Sequence, residues 1–445
     1  MVCLGRRTIT GILCAQGRQF EDWAAAYRLF SRERIDFKAI FEVAENEILA
    51  RLPPEQPLVV AMDDTLLRKR GKKIPGVGWT HDPLGPKFQR NLVWGQRMLQ
   101  FSTAVPASRG ACPARMIPTA IRMIPKVKKP KRNASDEAVK QYKLAREAAK
   151  STRQAVEELA LLRDRLDHGG GDKRSCQVVA DGGFTNSTVL RNLPPRTVYI
   201  GRIRSDAKLY FRPRADEGRR GPGRKRSYGD RAPTPAQLLR DQSILWETAA
   251  VHVAGKTREH RYKTLCPVLW RASGADRPLR VIAVEPVEYQ LRIGQRERRQ
   301  PAYLICTDPD LPVERILQVY YWRWDIEVNF RDEKQLIGVG QAQVRSKASV
   351  TNAPAFAVAC YALLLTASIK AYGSFGKPDS LPRPAWRKSR TGQRATTHEL
   401  IKQLRYELWA KGIQDDNFSG FVSPSRCEPK PEKFRPQLMH AVMNA

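Results

Sequence analysis

Apolar positions along the chain follow two different periods. Over residues 1 to about 50 they recur at helical spacing: Phe20, Trp23, Ala24 and Tyr27, then Phe37, Ile40, Phe41 and Ile48. Pro53, Pro54 and Pro57 end that pattern. A strand-like run, PLVVAM, then leads into Asp63, Asp64 and Thr65. NLVWGQRMLQFSTAV reads as a strand pair or one long strand. A helix rich in Ala, Glu, Lys and Arg is predicted from near Ser135 to about Asp167. Asp136 and Glu137 lie in its first turn, where the helix dipole favours negative charge, and Gly169, Gly170 and Gly171 stop it. The strand CQVVA ends at Asp181, followed by a Gly-Gly turn, a short helix from about Asn186 and the strand TVYIGRI. From about Trp246 to Thr307 the alternation predicts antiparallel strands. Helices are predicted over Val313 to about Ile337, Ala353 to Ala371 and His398 to Lys411. There is no internal repeat.

This order predicts an α/β fold, a mixed core interrupted by an insertion. The expected divisions are a helical region over 1–52 and a core over 53–203. A β-rich insertion with a basic loop follows over 204–302, then the second part of the core over 303–375 and a basic helical tail over 376–445. A chain of 445 residues can bury the core of two or three such domains.

Charge then narrows the partner. Lys and Arg number 78 against 45 acidic residues, a formal charge of +33. Such an excess repels itself in the folded state and calls for a polyanion, with nucleic acid first. The basic residues are grouped: Arg68, Lys69, Arg70, Lys72 and Lys73; Lys126, Lys128, Lys129, Lys131 and Arg132; Arg219, Arg220, Arg224, Lys225 and Arg226. These runs suit phosphate contacts without base readout. The segment FRPRADEGRRGPGRKRSYGDRAP is too polar to form a core and reads as a loop, disordered or ordered by DNA. The eight cysteines are scattered, without a C-x-x-C pair or zinc spacing, and read as reduced thiols of a cytosolic protein. The N-terminus lacks the apolar stretch of a signal peptide, and the apolar run Ala355 to Ile369 is short for a membrane span. HGGGDK and RGPGRK lack the phosphate-loop pattern, so no nucleotide cofactor is expected.

Asp63 and Asp181 each follow an apolar strand, where a sheet rim holds a carboxylate rigidly beside solvent. Two such groups on neighbouring strands can share hard cations, although aspartate after a strand is also ordinary turn chemistry. The segment YYWRWDIEVNFRDEKQLIG is more specific. Tyr320, Arg323, Glu327 and Lys334 stand at offsets of three, seven and fourteen, along one helical face. That face can hold a metal with Glu327 and phosphates with Arg323 and Lys334. Asp325, Arg331, Asp332 and Glu333 would equally suit a solvated, salt-bridged helix.

The spacing Tyr-x2-Arg-x3-Glu-x6-Lys resembles the Y-R-E-K signature of DDE transposases of bacterial insertion sequences. VVAMDDT resembles their first aspartate box, VVADGGFTN the second, and LICTDPDLPVERILQVYYWRWDIEVNFRDEKQLIG the third with its lead-in. The matches span Val59 to about Gly338. The resemblance implies an RNase H-like mixed sheet with flanking helices and a β-rich insertion before the glutamate. It implies Asp63, Asp181 and Glu327 as catalytic, metal-binding residues, with Asp64 as the alternative to Asp63. An Asp-x-Thr reading favours Asp63, two residues before Thr65.

It further implies two Mg²⁺ ions, with Mn²⁺ as a substitute, and an in-line displacement at the phosphate. Tyr320, Arg323, Lys334, Lys69, Arg70, Lys72 and Lys73 are the expected DNA contacts. The implied partners are double-stranded DNA at terminal inverted repeats and target DNA, with a homodimer pairing two ends in a bacterial, nucleoid-associated cytoplasmic setting. A hairpin intermediate is common in relatives with this signature and is not legible in this chain. Trp246 and Trp270 flank strands of the insertion, where an aromatic ring could stack on an extruded base or simply fill the core. Rival readings are an inactive transposase-derived DNA-binding protein, and an RNase H-like nuclease without strand transfer.

Overall fold

The computed structural model describes residues 1–32, 34–82, 85, 88–169, 174–213, 226–286, 288–292, 295–298, 300–378 and 394–415. Most of the expected basic loop, including Arg219, Arg220, Arg224 and Lys225, lies outside them, as does the end of the tail with Cys427. Cys3, Cys14, Cys112, Cys176, Cys266, Cys306 and Cys360 are free thiols.

Three helices open the chain: α1 (Ile9–Ala15), α2 (Ala24–Ser31) and α3 (Phe37–Leu49). Asp36 caps α3 by accepting from the Lys38 and Ala39 amides, and Phe41, Ala44 and Ile48 turn the helix inward. Trp23 and Tyr27, part of the expected apolar stripe, instead pack edge to face at the surface, 5.4 Å between centroids.

The strands β1 (Leu58–Arg68), β2 (Gly78–His81), β3 (Leu92–Pro106) and β4 (Ala114–Ile124) follow. NLVWGQRMLQFSTAV is thus one long strand. The expected single helix from Ser135 is two, α4 (Asp136–Ala148) and α5 (Ser151–His168), with extended backbone at Lys150 between them. The break has a packing cause. α4 buries no residue, whereas α5 turns to bury Ala155, Leu159, Leu162 and Leu166.

Next come β5 (Cys176–Ala180), α6 (Ser187–Leu190), β6 (Thr197–Arg202), β7 (Leu209–Tyr210), β8 (Arg231–Ala232) and α7 (Pro235–Arg240). Then follow β9 (Glu247–Val253), β10 (Lys256–Trp270), β11 (Gly274–Val284), the β12–β13 ribbon (Glu288–Arg292, Gln295–Arg298) and β14 (Ala302–Cys306). Helices α8 (Val313–Trp322) and α9 (Trp324–Asp332), a π-helical turn Glu333–Ile337, α10 (Lys347–Tyr372) and α11 (Thr397–Asp415) complete the chain.

One 12-stranded sheet takes in every one of these strands except the β12–β13 ribbon. β4, β3 and β1 are antiparallel neighbours, and β1, β5 and β6 run parallel. This mixed α/β arrangement is consistent with an RNase H-like nuclease fold. The central strands read as unbroken apolar runs because both faces are covered. Val60, Met62 and Val178 face one core cluster with α3 and α5. Val59, Ala61 and Val179 face the other with α8 and α9. Of the strands expected in the insertion, β7 to β11 continue the same sheet, where β11 pairs with β10 and with β14 and β14 pairs with β6, whereas β12 and β13 form a ribbon of their own.

α10 is long and apolar enough to cross a membrane by length and composition. Its most apolar window is 61% buried inside the protein, the behaviour of a core helix. Its Pro354 and Ala355 are buried, and it runs beside α3 and β4.

Candidate active site

Asp63 lies within β1, not past its end, because Leu66–Arg68 continue the pairing with β3. Asp181 follows β5 directly. The parallel register joins Met62 to Ala180, so the two aspartates occupy the next positions on adjacent strands, which in a sheet lie about 4.8 Å apart. The Gly183 amide donates to Asp181 Oδ1 at 2.9 Å, which fixes that carboxylate. A Cβ on Gly183 would come within 3.1 Å of the same oxygen, so the turn favours glycine. Asp63 Oδ1 accepts from the Asp64 amide at 2.8 Å.

The third acid arrives from the helical layer. The expected single helix from Val313 to Ile337 is divided at Arg323, between α8 and α9, and its end loosens into the π-helical turn. Arg323 keeps helical backbone angles, so Tyr320, Arg323 and Glu327 still meet at i,i+3 and i,i+4 spacing, and Arg323 and Lys334 reach β1. Arg323 is 6% exposed. Its Nη1 donates to Asp63 Oδ2 at 3.2 Å and its Nη2 to Glu327 Oε1 at 3.4 Å. The Tyr320 ring packs 5.6 Å from the guanidinium, in cation–π range. Lys334 Nζ, carried on the π-turn, donates to Thr65 Oγ1 at 2.6 Å.

The electrostatics mark one crowded acidic cluster. Burial pushes the Asp63 carboxyl up to about 7, the Asp181 charge adds to the shift and Arg323 opposes it. Burial also raises Glu327, against the pull of Arg323 and with help from Asp181. Asp64 points the other way along the pleat and faces Arg97 at 3.6 Å. Burial raises it, and Arg97 holds it back.

Among the described residues no three Asp, Glu, His or Cys side chains stand ready-made as a metal cage. The space between Asp63 and Glu327 is spanned by a guanidinium instead. That contact is itself a test of fit. A buried cation bridges two carboxylates, and a third carboxylate raises the first, so the cluster is built for positive charge.

Several expected contacts sit differently. Lys69 is buried rather than facing solvent, and its Nζ donates to Gly340 O at 3.2 Å and Ala342 O at 2.9 Å. Its ammonium is committed to backbone, and burial lowers it to about 8, so it is not a phosphate contact. Arg70, Lys72 and Lys73 are exposed, as are Lys126, Lys128, Lys129, Lys131, Arg132 and Arg226. Trp270 packs against the core. Trp246 lies under Arg261 and Lys263, at 4.8 and 4.7 Å from its ring.

Sequence reasoning missed the partners of the other acids in the glutamate segment. They are not solvated. Asp325 holds Arg394 through two oxygens and accepts the Met116 amide at 2.9 Å. Glu333 is buried and accepts from Gln100 Nε2 at 2.8 Å. Asn329 joins Ser102 at 3.3 Å and the Met116 carbonyl at 3.1 Å. The only signal was the density of acids on one helix; Asp332 meets its neighbour Arg331, whereas the partners of Asp325 and Glu333 lie far away in sequence.

A family model described as DDE superfamily endonuclease matches residues 1–277. That span contains Asp63 and Asp181 and stops before Glu327. No curated protein matches the chain.

Proposed function

This chain belongs to the DDE superfamily of endonucleases, and from that premise we propose that it is a transposase of the Y-R-E-K branch. In this reading it cleaves DNA at the ends of an insertion sequence and joins the freed 3′-hydroxyl to target DNA. The observation that carries it is the convergence on Arg323: Asp63 and Glu327 share its guanidinium beside Asp181.

DDE endonucleases use divalent metals. Asp63, Asp181 and Glu327 would hold the cations, two Mg²⁺ ions in this proposal, with Mn²⁺ as a substitute. Asp63 is preferred to Asp64, which Arg97 already holds on the opposite side of the strand. Cations bound there supply activation of the attacking oxygen and stabilisation of the leaving one.

The chain's own residues do the rest. Asp181 is held rigid by the Gly183 amide and Asp63 by β-pairing, so both carboxylates keep their aim. Arg323, released from the acids, presents a planar fork to a phosphate in place of a carboxylate. Lys334 brings a compact charge along β1 from the π-turn. Tyr320 backs the guanidinium and keeps water from it. The β-rich span following Asp181, and a homodimer that pairs two terminal repeats, complete the proposal.

The test is cleavage and joining with Mg²⁺ on the inverted repeats that flank the coding DNA. Glu327→Gln and Asp181→Asn should each lower cleavage by at least about a thousandfold while duplex binding persists. Normal cutting by either variant removes the assignment. Cutting without joining of a 3′-hydroxyl donor leaves an endonuclease and removes strand transfer.

A further inference from the structure

We propose that the sheet edge made by β2 and the start of β3 is a second DNA-binding surface, with Trp79 as an aromatic platform among phosphate-directed cations. The proposal rests on DNA as the substrate of the site above.

Trp79 is 59% exposed. It pairs directly with Trp94 across β2 and β3, and the rings meet edge to face at 5.6 Å. Trp94 is itself fixed, because its indole N–H donates to Gly71 O at 3.1 Å. The exposed ring therefore has a rigid backing, which lowers the entropy lost when something stacks on it. Leu92, 53% exposed, extends the patch. A single exposed apolar residue needs no explanation, but a braced aromatic on an edge strand does.

The surroundings choose the occupant. Arg68 at the end of β1, Arg70, Lys72 and Lys73 on the segment that joins β1 to β2, and Arg90 just before β3 are all exposed. The acid facing them, Asp82, is engaged by Arg68 at 3.1 Å. Such a ring of cations repels a second copy of the same edge and attracts a phosphate backbone.

Position supports the same occupant. Alternation along β3 puts Trp94 on the face of Gln100, and Gln100 is the cross-strand partner of Asp63. From Asp63 to Arg68 is five steps along β1, and Arg68 pairs with Gly95, which also pairs with Gly78 of β2. Trp79 pairs with Trp94, one residue beyond Gly95, so it stands six steps along the strands from Asp63, about 20 Å at roughly 3.3 Å per residue, and two strands to the side, about 10 Å. The resulting separation of about 22 Å places Trp79 roughly six to seven base pairs from the phosphate at Asp63, at about 3.4 Å per base pair.

The test uses full-length protein carrying Glu327→Gln, so that affinity is read without cutting. The probe is a fluorescein-labelled duplex of arbitrary sequence, several helical turns long, with a single-stranded tail of about eight nucleotides that supplies unstacked bases, titrated by anisotropy over a range of KCl concentrations. Adding Trp79→Ala should weaken binding by about tenfold, and Trp79→Phe should recover most of it. Adding Arg70→Ala with Arg90→Ala should flatten the slope of log K against log salt by about 1.8, or about 0.9 per phosphate contact. Loss of the Trp79–Trp94 contact on an edge strand should lower the thermal midpoint by no more than about 3 °C, so the protein stays folded in the assay.

Unchanged affinity in the tryptophan variant together with an unchanged slope in the arginine variant overturns the proposal. So does a Trp79→Ala protein that binds DNA normally but loses a dimer in sedimentation, which would assign the edge to a second copy. A wild-type chain that binds through this edge yet never cuts DNA would overturn the enzyme reading and leave this surface standing.

Discussion

Arg323 serves two ends that conflict. It compensates Asp63 and Glu327 while no other cation is near, and it must leave them for a phosphate when DNA and metal are bound. An internal cation competes with a metal for the same oxygens. Arg323→Ala should therefore bind Mn²⁺ several-fold more tightly by calorimetry, yet cut DNA about a hundredfold more slowly. A fall in both would mean that the guanidinium only supports the fold. Glu333 gives a second, independent residue-scale prediction. Burial pushes it up to about 8, well above its ordinary value of 4.5. The folded state keeps a proton that the unfolded chain releases, so the contribution is fully present below about pH 4.5 and is lost as pH rises towards 8. Glu333→Gln keeps an acceptor for Gln100 and removes that loss. Its unfolding free energy, from denaturant titration, should be nearly equal to that of the wild type at pH 4 and higher at pH 8.5, by on the order of 3 kcal/mol. An identical pH profile would refute the buried-proton account.

At the scale of elements, the glutamate helix is held by a clamp from the far end of the chain. Asp325 grips Arg394 just before α11, and Arg394 also donates to Ala114 O at 3.0 Å on β4. Asp325→Asn should cost about 2 kcal/mol and speed hydrogen exchange in α11 more than in β1. Equal exchange in both would place the clamp outside the helix's support. This element also shows what the sequence could and could not reveal. The runs PLVVAM and CQVVA announced buried strands and set the aspartates near one another. The division of the signature helix at Arg323 was not legible, since no glycine or proline marks it. Nor was the π-turn that carries Lys334 to Thr65. Lys69 read as one more solvated cation because nothing local says that two carbonyls, some 270 residues later, receive it. The turn at Lys150 was hidden for a similar reason: its cause is the sheet beneath α5, not the residues at the break.

For the whole molecule, the sheet explains why distant boxes meet. β1 and β5 are parallel neighbours, and α8 and α9 pack on the face that carries Val59, Ala61 and then Asp63. Among the described residues the exposed cations fall in separate segments, Arg68–Lys73 and Lys126–Arg132 among them, rather than in one run. A long polyanion can then meet cations at more than one point. The central claim is that the acidic cluster, not merely the positive surface, grips divalent cations for DNA cleavage. Anomalous diffraction from crystals soaked in Mn²⁺ with a cleaved-end duplex tests it most directly. The account predicts manganese peaks touching Asp63 and Asp181, with Glu327 turned towards them and the Arg323 guanidinium moved onto a phosphate. Manganese absent from these carboxylates, with Arg323 still joining Asp63 to Glu327 beside bound DNA, would contradict it.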